Sequence, residues 1–383
     1  MAMLRPPKVQ QVKPRAVDAA EFERAIAAHE AFVGGRPDGV RAQLRLVVAQ
    51  GVRCERRMLC DADFGGSDLT GASFMASDLS RAVFYCTNLQ LADLRAANLS
   101  GADLRGARLA GAKLLGAILD HADLRSAVLS SADPFAGGAA ALADARLDGV
   151  DLSAAVASGA DFSNCSLKGA VLRHADLKHA NLSNANLSGA QFDGVQLAGA
   201  QMRGAVLCGV DLSKLSLPPE VLQGCVTDPS PAAAARVAQI VAALDAMDAW
   251  VRSGGREGSP ATFDNEDLRP VGDAFASRQL PGVSLRGVMA IDTNFRGTQF
   301  AGARFDGADL RGADFTGADL RGVSFRGANL AHACFDEADL GPLALVNGMQ
   351  REVQLEGATL GGSGLAAIPP ARSQPPTAAA GGA

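Results

Sequence analysis

Apolar residues recur at every fifth position over most of this chain. Between residues 305 and 335 each fifth residue is Phe or Leu, usually with Ala two positions before it and Gly two positions after it. We call this recurring Leu or Phe the centre. A period of five matches neither the turn of an α-helix nor the alternation of a β-strand. It indicates a chain that turns every five residues and keeps one side inward throughout.

The period divides the chain into two repeat regions, 44–217 and 283–360. Within the first region, the step from the centre Leu129 to the centre Leu142 is three residues longer than two repeats. The sequence between them contains Pro134, and proline is hard to hold inside a sheet because it lacks a backbone donor. We therefore expect a surface bulge at 133–141.

A single five-residue unit cannot bury its own apolar side chain, whereas a stack of units can. In extended backbone, residues two apart point the same way, so the Ala and the centre of each unit share the inner side. The Asp or Asn between them points outward, and the Gly or Ser that follows permits a turn. The pattern therefore predicts a coiled solenoid.

The units resemble a known family. "ADLRG", "ADFTG" and "ANLSG" are similar to the A(D/N)LXX pattern of the pentapeptide-repeat family. The resemblance implies a mainly β fold, a right-handed quadrilateral β-helix in which each unit forms one side of a square. Four units then make one coil. Because the family is functionally diverse, the resemblance implies this fold more strongly than any activity.

Four units of five per coil predict vertical columns of side chains in the second repeat region. Strands in neighbouring coils lie about 4.8 Å apart, a spacing that suits offset stacking of aromatic rings. Phenyl rings are expected on two opposite walls and mainly leucine on the other two. The four predicted core columns are Phe295, Phe315 and Phe335; Phe305 and Phe325; Leu310 and Leu330; and Phe300, Leu320 and Leu340.

The repeat regions need covers, because the ends of a stack expose strand edges and apolar rungs. Asp18 and Glu21 fit a capping box, which predicts a helix over 19–33. This helix and the turn that follows it form a predicted cap over 19–43 for the first coil. Residues 1–18 are predicted to form a basic flexible arm. His29 lies on the apolar face of this helix, where we expect it to pack rather than to bind a metal.

A second helix is predicted inside an insert at 218–282. Ser230 is a candidate N-cap, Pro231 suits the first helical position, and apolar residues recur at spacings of three and four up to about 253. This amphipathic helix is expected to cover the end of the 142–217 run, and the polar stretch after it is expected to be irregular. The Gly/Ala/Pro tail at 361–383 is predicted to be disordered.

Composition supports a repeat array. The 383 residues are 48% apolar but include 43 Gly, one Trp and one Tyr, so the core is built from small side chains with Leu and Phe. The net charge is −5 without a dominant basic stripe, so no direct nucleic-acid binding is expected. Seven scattered Cys without a CxxC pair favour a reduced, cytoplasmic setting. No apolar run is long enough to predict a membrane span.

Groups that could carry chemistry have structural explanations in this pattern. Four histidines occupy the slot two after a centre, which points outward, and rows of Asp occupy the slot before it, beside the turn: His121, His174, His179 and His332; Asp63, Asp68, Asp78, Asp93, Asp103, Asp123, Asp176, Asp309, Asp314, Asp319 and Asp339. Neither set has metal-ligand spacing, and no phosphate-binding or nucleophile motif occurs. We therefore expect no catalytic residue, cofactor or metal.

Two functions remain open from the sequence. The first is a non-catalytic scaffold that binds another protein, as yet unidentified, through its irregular parts. The alternative, implied by the resemblance, is a DNA-mimicking modulator of a type II topoisomerase (gyrase). The mild charge and the frequent Arg after the centre weaken that alternative. Oligomeric state and the collinearity of the two repeat regions stay open at this point.

Overall fold

The computed structural model describes residues 14–131, 138–214, 219–346 and 348–365. The chain divides into two compact units, Met1–Asp228 and Pro229–Ala383. The structure has two long helices and a few short elements: β1 (Arg15–Ala16), α1 (Ala19–Val33), β2 (Val47–Val48), α2 (Pro219–Leu222), α3 (Pro231–Arg252), β3 (Leu343–Ala344) and β4 (Gln350–Arg351), with 3-10 turns at Leu212–Lys214 and Arg269–Val271.

Both units are stacks of parallel bridges, and most of these bridges join residues separated by four repeats. In the first unit Asp63 pairs with Val83, and the next bridge, from Asp68, follows one repeat later. The Phe64 amide donates to the Val83 carbonyl at 2.8 Å, so each coil hydrogen-bonds to the next. Four such bridges complete one coil. Each unit is therefore a β-helical solenoid, as the five-residue period predicts.

Each turn of the solenoid places the residue two after the centre in the left-handed region. His174 has φ 57° and Gly194, one coil further on, has φ 67°. A Cβ at position 194 would lie 2.8 Å from the His174 Cε1, because the imidazole ring rests over the glycine. The other three corner histidines also lie over a glycine of the next coil: His121 over Gly149, His179 over Gly199 and His332 over Gly362.

α1 covers the first coil of the first unit. The Asp18 carboxylate accepts from the Glu21 amide at 2.7 Å, which forms the predicted N-cap, and Phe22 and Ile26 are buried. Just before the helix, β1 pairs in parallel with β2. The predicted flexible arm at 1–18 is therefore too long, since residues 15–17 belong to the fold. Residues 1–13 of that arm lie outside the described part of the chain.

His29 fastens α1 to the edge of the stack. Its side chain is fully buried; Nδ1 accepts from the Ala42 amide at 3.1 Å and Nε2 donates to the Cys60 carbonyl at 3.0 Å. With Nδ1 as acceptor, the ring is neutral, and burial lowers the pKa of His29 below its ordinary value. The histidine thus satisfies two backbone groups that the coil edge would otherwise leave unpaired.

The bulge in the first unit differs from its prediction. Lys113 bridges to Ala141, where the regular spacing would reach position 133, so eight extra residues enter at one corner. The Ser131 amide donates to the Gly138 carbonyl at 3.2 Å and closes the excursion. Residues 140 and 141, placed in the predicted bulge at 133–141, already lie in the next coil. Residues 132–137 are outside the described ranges.

The first stack also extends beyond its predicted end at 217. After α2, Val226 bridges to Val206, and the Leu207 amide donates to the Val226 carbonyl at 2.7 Å. Leu222 and Cys225 pack against the core of this unit. The bridge at Val226 shows that the chain rejoins the stack after α2. The predicted insert at 218–282 therefore begins too early.

α3 opens the second unit. Ser230 caps its amide end, accepting from Ala233, and Pro231 occupies the first turn, as predicted. Its apolar face, with Ile240, Leu244 and Met247, is buried in the core of the second unit. The prediction that this helix covers the end of the 142–217 run is therefore corrected.

The second repeat region starts well before 283. Thr262 bridges to Ser284 and Asp267 to Met289, each two positions beyond the regular spacing. Phe263 and Leu268 are buried beneath α3 as the first centres of this coil. The Asp248 carboxylate of α3 accepts from the Gln279 amide at 3.0 Å, which satisfies a donor of this first coil much as His29 does in the first unit.

The aromatic side chains of the second unit stand in columns. The rings of Phe295 and Phe315 stack with centroids 5.0 Å apart, those of Phe315 and Phe335 at 5.2 Å, and those of Phe305 and Phe325 at 5.3 Å. Rings of neighbouring columns meet edge to face, such as Phe305 and Phe315 at 5.8 Å. The two columns thus interlock in the centre of the coil.

The other two columns contain Leu310 and Leu330, and Phe300 and Leu320, all fully buried. Leu340, at the top of the fourth column, is only partly buried, and so is Phe335. After Leu340 the chain makes an excursion of ten residues, because Ser324 bridges to Gln354 where the regular spacing would reach position 344.

That excursion is a β-hairpin, in which β3 pairs antiparallel with β4. The expectation that the repeat run continues through Leu345 is wrong, because the chain leaves the wall at 342 and resumes at Gln354. Leu365 is buried in the core, so the fold extends past the predicted start of the disordered tail at 361. Residues 366–383 lie outside the described chain.

Replacing Phe315 with alanine should remove the ring shared by the stacks of Phe295 and Phe335. We expect a loss of about 3–5 kcal/mol in the free energy of unfolding, because the rigid coils above and below cannot close the cavity. Chemical denaturation followed by circular dichroism measures it. Gln299→Ala, an outward side chain on a neighbouring wall, is the control and should change stability by less than about 0.5 kcal/mol. Equal effects would contradict the placement of Phe315.

Gly194→Ala tests the ring contact at the corner. Alanine in the left-handed region costs about 1–2 kcal/mol, and here its Cβ also meets the His174 ring. The matched control is Gly169→Ala, with φ 64° and open space around the added methyl group. Thermal denaturation should show a larger loss for Gly194→Ala. Adding His174→Ala should remove the difference; if it does not, the ring contact is irrelevant.

Stability of the first unit should fall as pH is lowered from about 7 to about 5.5. The pKa of folded His29 lies below its ordinary value of 6.5, so above that pH both states are neutral. Below it the unfolded chain binds the proton first and unfolding becomes easier. His29→Asn should flatten this slope in pH-dependent melting curves, whereas His174→Asn, at an exposed corner, should leave it unchanged. A slope retained in His29→Asn would rule out this histidine as the source.

Candidate functional site

The outward Asp and Asn side chains of the walls form turns. All eleven Asp residues singled out by the sequence accept a hydrogen bond from the backbone amide two residues further on, at 2.9 to 3.5 Å. This is the Asx-turn geometry, which steers the chain around each corner. The rows of carboxylates are therefore part of the scaffold and do not form acid–base pairs.

Where Arg follows the centre, the same Asp also forms a two-pronged ion pair. Arg105 donates from Nε and Nη2 to the two oxygens of Asp103, at 2.8 and 2.7 Å. The guanidinium holds the pKa of Asp103 below its usual range. Five further Asp-Leu-Arg units repeat this geometry: Asp93 with Arg95, Asp123 with Arg125, Asp267 with Arg269, Asp309 with Arg311, and Asp319 with Arg321.

These pairs continue between coils. Arg105 approaches Asp123 at 3.6 Å and Arg125 approaches Asp151 at 3.7 Å, so one wall of the first unit is a ladder of alternating charge. The only tyrosine, Tyr85, lies on this wall, half exposed, with the Arg105 guanidinium 5.3 Å from its ring centre. The wall thus presents neutralised charge and one aromatic ring.

The histidines and cysteines do not assemble into a reactive centre. His121, His174, His179 and His332 occupy left-handed corners, each ring lying over the glycine of the next coil. Cys54 and Cys165 are buried, and burial raises the pKa of the Cys54 thiol to about 12, which keeps it protonated. Across the described ranges, no group of three or more His, Cys, Asp or Glu side chains could hold a metal ion.

An open cavity of about 560 Å³ lies beside the last turns of α3 in the second unit. Its walls are charged: Arg278 contacts Asp245 at 2.5 Å, and Arg252 contacts Asp248 at 2.9 Å. Since each guanidinium faces a carboxylate, this cavity is a structural ion-pair cluster that holds α3 to its coil. The sequence did not predict it, because the coil at 262–282 lacks the Ala-Asp-Leu pattern.

The predicted core columns and the walls thus serve stability, and the irregular features are left as candidate binding elements. They are the two capping helices, the eight-residue excursion and the β3–β4 hairpin. The sequence predicted the two helices from their capping residues and apolar spacing, and the excursion from the longer step between Leu129 and Leu142. It missed the hairpin because Leu345 keeps the five-residue period. Within the described residues, no helix is long and apolar enough to cross a membrane.

Comparison with known proteins bears on the repeats. A family model described as pentapeptide repeats matches eight copies, over residues 59–95, 92–130, 145–184, 175–213, 279–317 and 303–341, together just over half of the chain. No curated protein sequence matches the chain.

Solved structures with similarity include HetL, a pentapeptide repeat protein involved in heterocyst differentiation regulation from the cyanobacterium Nostoc sp. strain PCC 7120. It is 21% identical, the match covers 91% of this chain and 99% of HetL, and the TM-score is 0.23. QnrB1, a plasmid-mediated fluoroquinolone resistance protein, is 20% identical over 51% of this chain and 90% of its own, with a TM-score of 0.25.

A third solved structure is a pentapeptide repeat protein of the Arabidopsis thaliana thylakoid lumen. It is 25% identical over 28% of this chain and 61% of its own, with a TM-score of 0.20. The family itself rests on the repeat model, which matches the same five-residue units that form the stacked coils. The chain belongs to the pentapeptide repeat family.

Proposed function

We propose that this protein is a non-catalytic scaffold, a right-handed quadrilateral β-helix in two units, which binds another protein in the cytoplasm. The observation that carries the proposal is the use of outward polar groups within the walls themselves. Asp103 serves its own turn and Arg105 at once, and the other Asp-Leu-Arg units do the same. Groups engaged in this way are poor acids, bases or nucleophiles.

Rigidity supports the same conclusion. The walls hydrogen-bond to the neighbouring coils, and the rings of Phe295 and Phe315 are fully buried and stacked inside the second unit. Function on rigid scaffolds usually lies in the loops and appended elements that they position. The capping helices and the hairpin are such elements here, and we expect them to contact the protein partner.

The gyrase-modulator alternative receives less support. A surface that imitates DNA must present a continuous row of negative charge, because each base pair carries two phosphates. Here Arg105, Arg125 and Arg321 neutralise the carboxylates beside them. The net charge of −5 over 383 residues is small for such imitation.

The scaffold proposal is tested by affinity capture with the full-length chain from its native host, followed by binding to the purified candidate. We expect one protein to be retained stoichiometrically after nuclease treatment, and to bind the purified chain in calorimetry. The wall variant Arg105→Ala with Arg125→Ala should bind equally well, because the wall is structural. Capture of nucleic acid alone, or of no protein, would contradict the proposal.

A supercoiling assay separates the two functions. Purified DNA gyrase should supercoil plasmid at an unchanged rate, with or without a quinolone, in the presence of a large molar excess of this protein. The variant Arg105→Ala with Arg125→Ala is assayed in parallel as the matched control. Protection from the quinolone by the parent chain would favour the topoisomerase modulator over the scaffold.

A further inference from the structure

α1 is joined to the first coil of the first unit by side chains. His29 binds the Ala42 amide and the Cys60 carbonyl. The neighbouring Glu30 carboxylate accepts from the Met58 amide at 3.3 Å. The coils, in contrast, are joined to one another by ladders of backbone hydrogen bonds. Release of the helix would therefore break side-chain contacts and leave the ladders between coils intact, as in the opening of a local cooperative unit.

The chain is anchored to the stack on both sides of α1. Before the helix, β1 pairs with β2, and the Arg15 amide donates to the Leu46 carbonyl at 2.7 Å. After it, the Leu44 amide donates to the Asp63 carbonyl at 2.7 Å. A helix that leaves the edge of the first coil therefore remains tethered at both ends and can return to its place.

His29 makes both of its hydrogen bonds only as a neutral ring. Its Nδ1 faces the Ala42 amide, so a proton on Nδ1 would place two donors against each other. The side chain is fully buried, and burying a charge without a partner is costly. Protonation of His29 therefore opposes the docked position of the helix.

The two carboxylates that act on His29 are already ion-paired. Asp61 contacts Arg81 at 2.7 Å, and Glu30 contacts Arg57 at 2.9 Å. Each carboxylate is thus partly neutralised by its own guanidinium, and neither is printed within hydrogen-bond distance of the imidazole ring. They compensate a positive charge on the ring only weakly.

The other titratable groups around His29 do not favour its protonated form. Arg41 donates from Nε to the Asp61 carbonyl at 2.5 Å, and its positive charge opposes a second cation nearby. Burial raises the pKa of the Cys60 thiol, which therefore stays neutral. Burial of the imidazole is the largest influence, and it lowers the pKa of His29 below its ordinary value of 6.5.

We propose that His29 is an acid-sensitive latch, whose protonation releases α1 from the first coil while the coils themselves stay folded. At pH 7.5 the ring is neutral in both the docked and the released helix. As the pH falls through 6.5, the released ring binds the proton first, so release becomes easier. The latch would regulate one of the candidate binding elements, the N-terminal capping helix, and it does not depend on the scaffold function.

Hydrogen–deuterium exchange with mass spectrometry on the full-length chain tests the latch at pH 7.5 and pH 5.5. After correction for the pH dependence of intrinsic amide exchange, the opening equilibrium of α1 should rise about five- to tenfold at the lower pH. Peptides from the coils at 84–129 should keep their protection. A matching rise in those coils would indicate global unfolding and overturn the latch, and so would an unchanged α1.

Two variants assign the response to one side chain. The amide of His29→Asn can donate and accept but does not titrate, so α1 should open equally at both pH values; His29→Gln serves if that variant does not fold. Glu30→Gln is the matched control, since it removes the other titratable side chain that binds this edge, and it should retain the rise. A rise that persists in His29→Asn, or disappears in Glu30→Gln, would identify another group as the source and refute the proposal.

Discussion

The hydrogen bond between residues one coil apart is the interaction on which this architecture depends. It exists only if the backbone turns once every five residues, and the turn requires a left-handed residue two after each centre. Glycine adopts that conformation without strain, and His174 or Asn184 adopts it with a modest cost. The interior pattern of Ala and Leu or Phe follows, because a coil this narrow leaves room for one large and one small side chain per side.

The two ends of each stack are prone to unwanted association, because a coil with an open edge can pair with another copy of the chain. In both units a helix at the N-terminal end of the stack covers the exposed edge, and its apolar face packs against the first coil. One buried polar side chain on each helix binds the edge directly: His29 in α1 and Asp248 in α3. The second unit thus has its own cap and its own core, which accounts for the separation of the chain at residue 228.

Much of this organisation could be predicted from the sequence, because the period of five is a direct imprint of the coil. The N-terminal caps of the two helices, at Asp18 and at Ser230–Pro231, could also be predicted from the sequence. The first coil of the second unit escapes prediction, since its bridges, such as Thr262 with Ser284, exceed the regular spacing by two positions. The bulge looks like only three extra residues in the sequence, because Pro134 occupies the expected register.

The candidate site was harder to predict than the fold. By its number of residues alone, the hairpin at 343–351 cannot be distinguished from two further repeats. Its ten extra residues equal two units and preserve the register of Leu355 and Leu360. Only the structure distinguishes a wall from a hairpin there. The Asp rows, in contrast, are predictable as turn residues, because their slot beside a corner leaves an Asx turn as the simplest role.

The excursions of two, eight and ten residues at the corners have a wider consequence. Above each of them the parallel bridges resume in the same order, so the chain can lengthen at a corner without disturbing the coils on either side. Closing a longer loop costs free energy that grows only with the logarithm of its length. Corners are therefore sites where natural variation, or a protein engineer, can graft new segments onto a frame that keeps its shape.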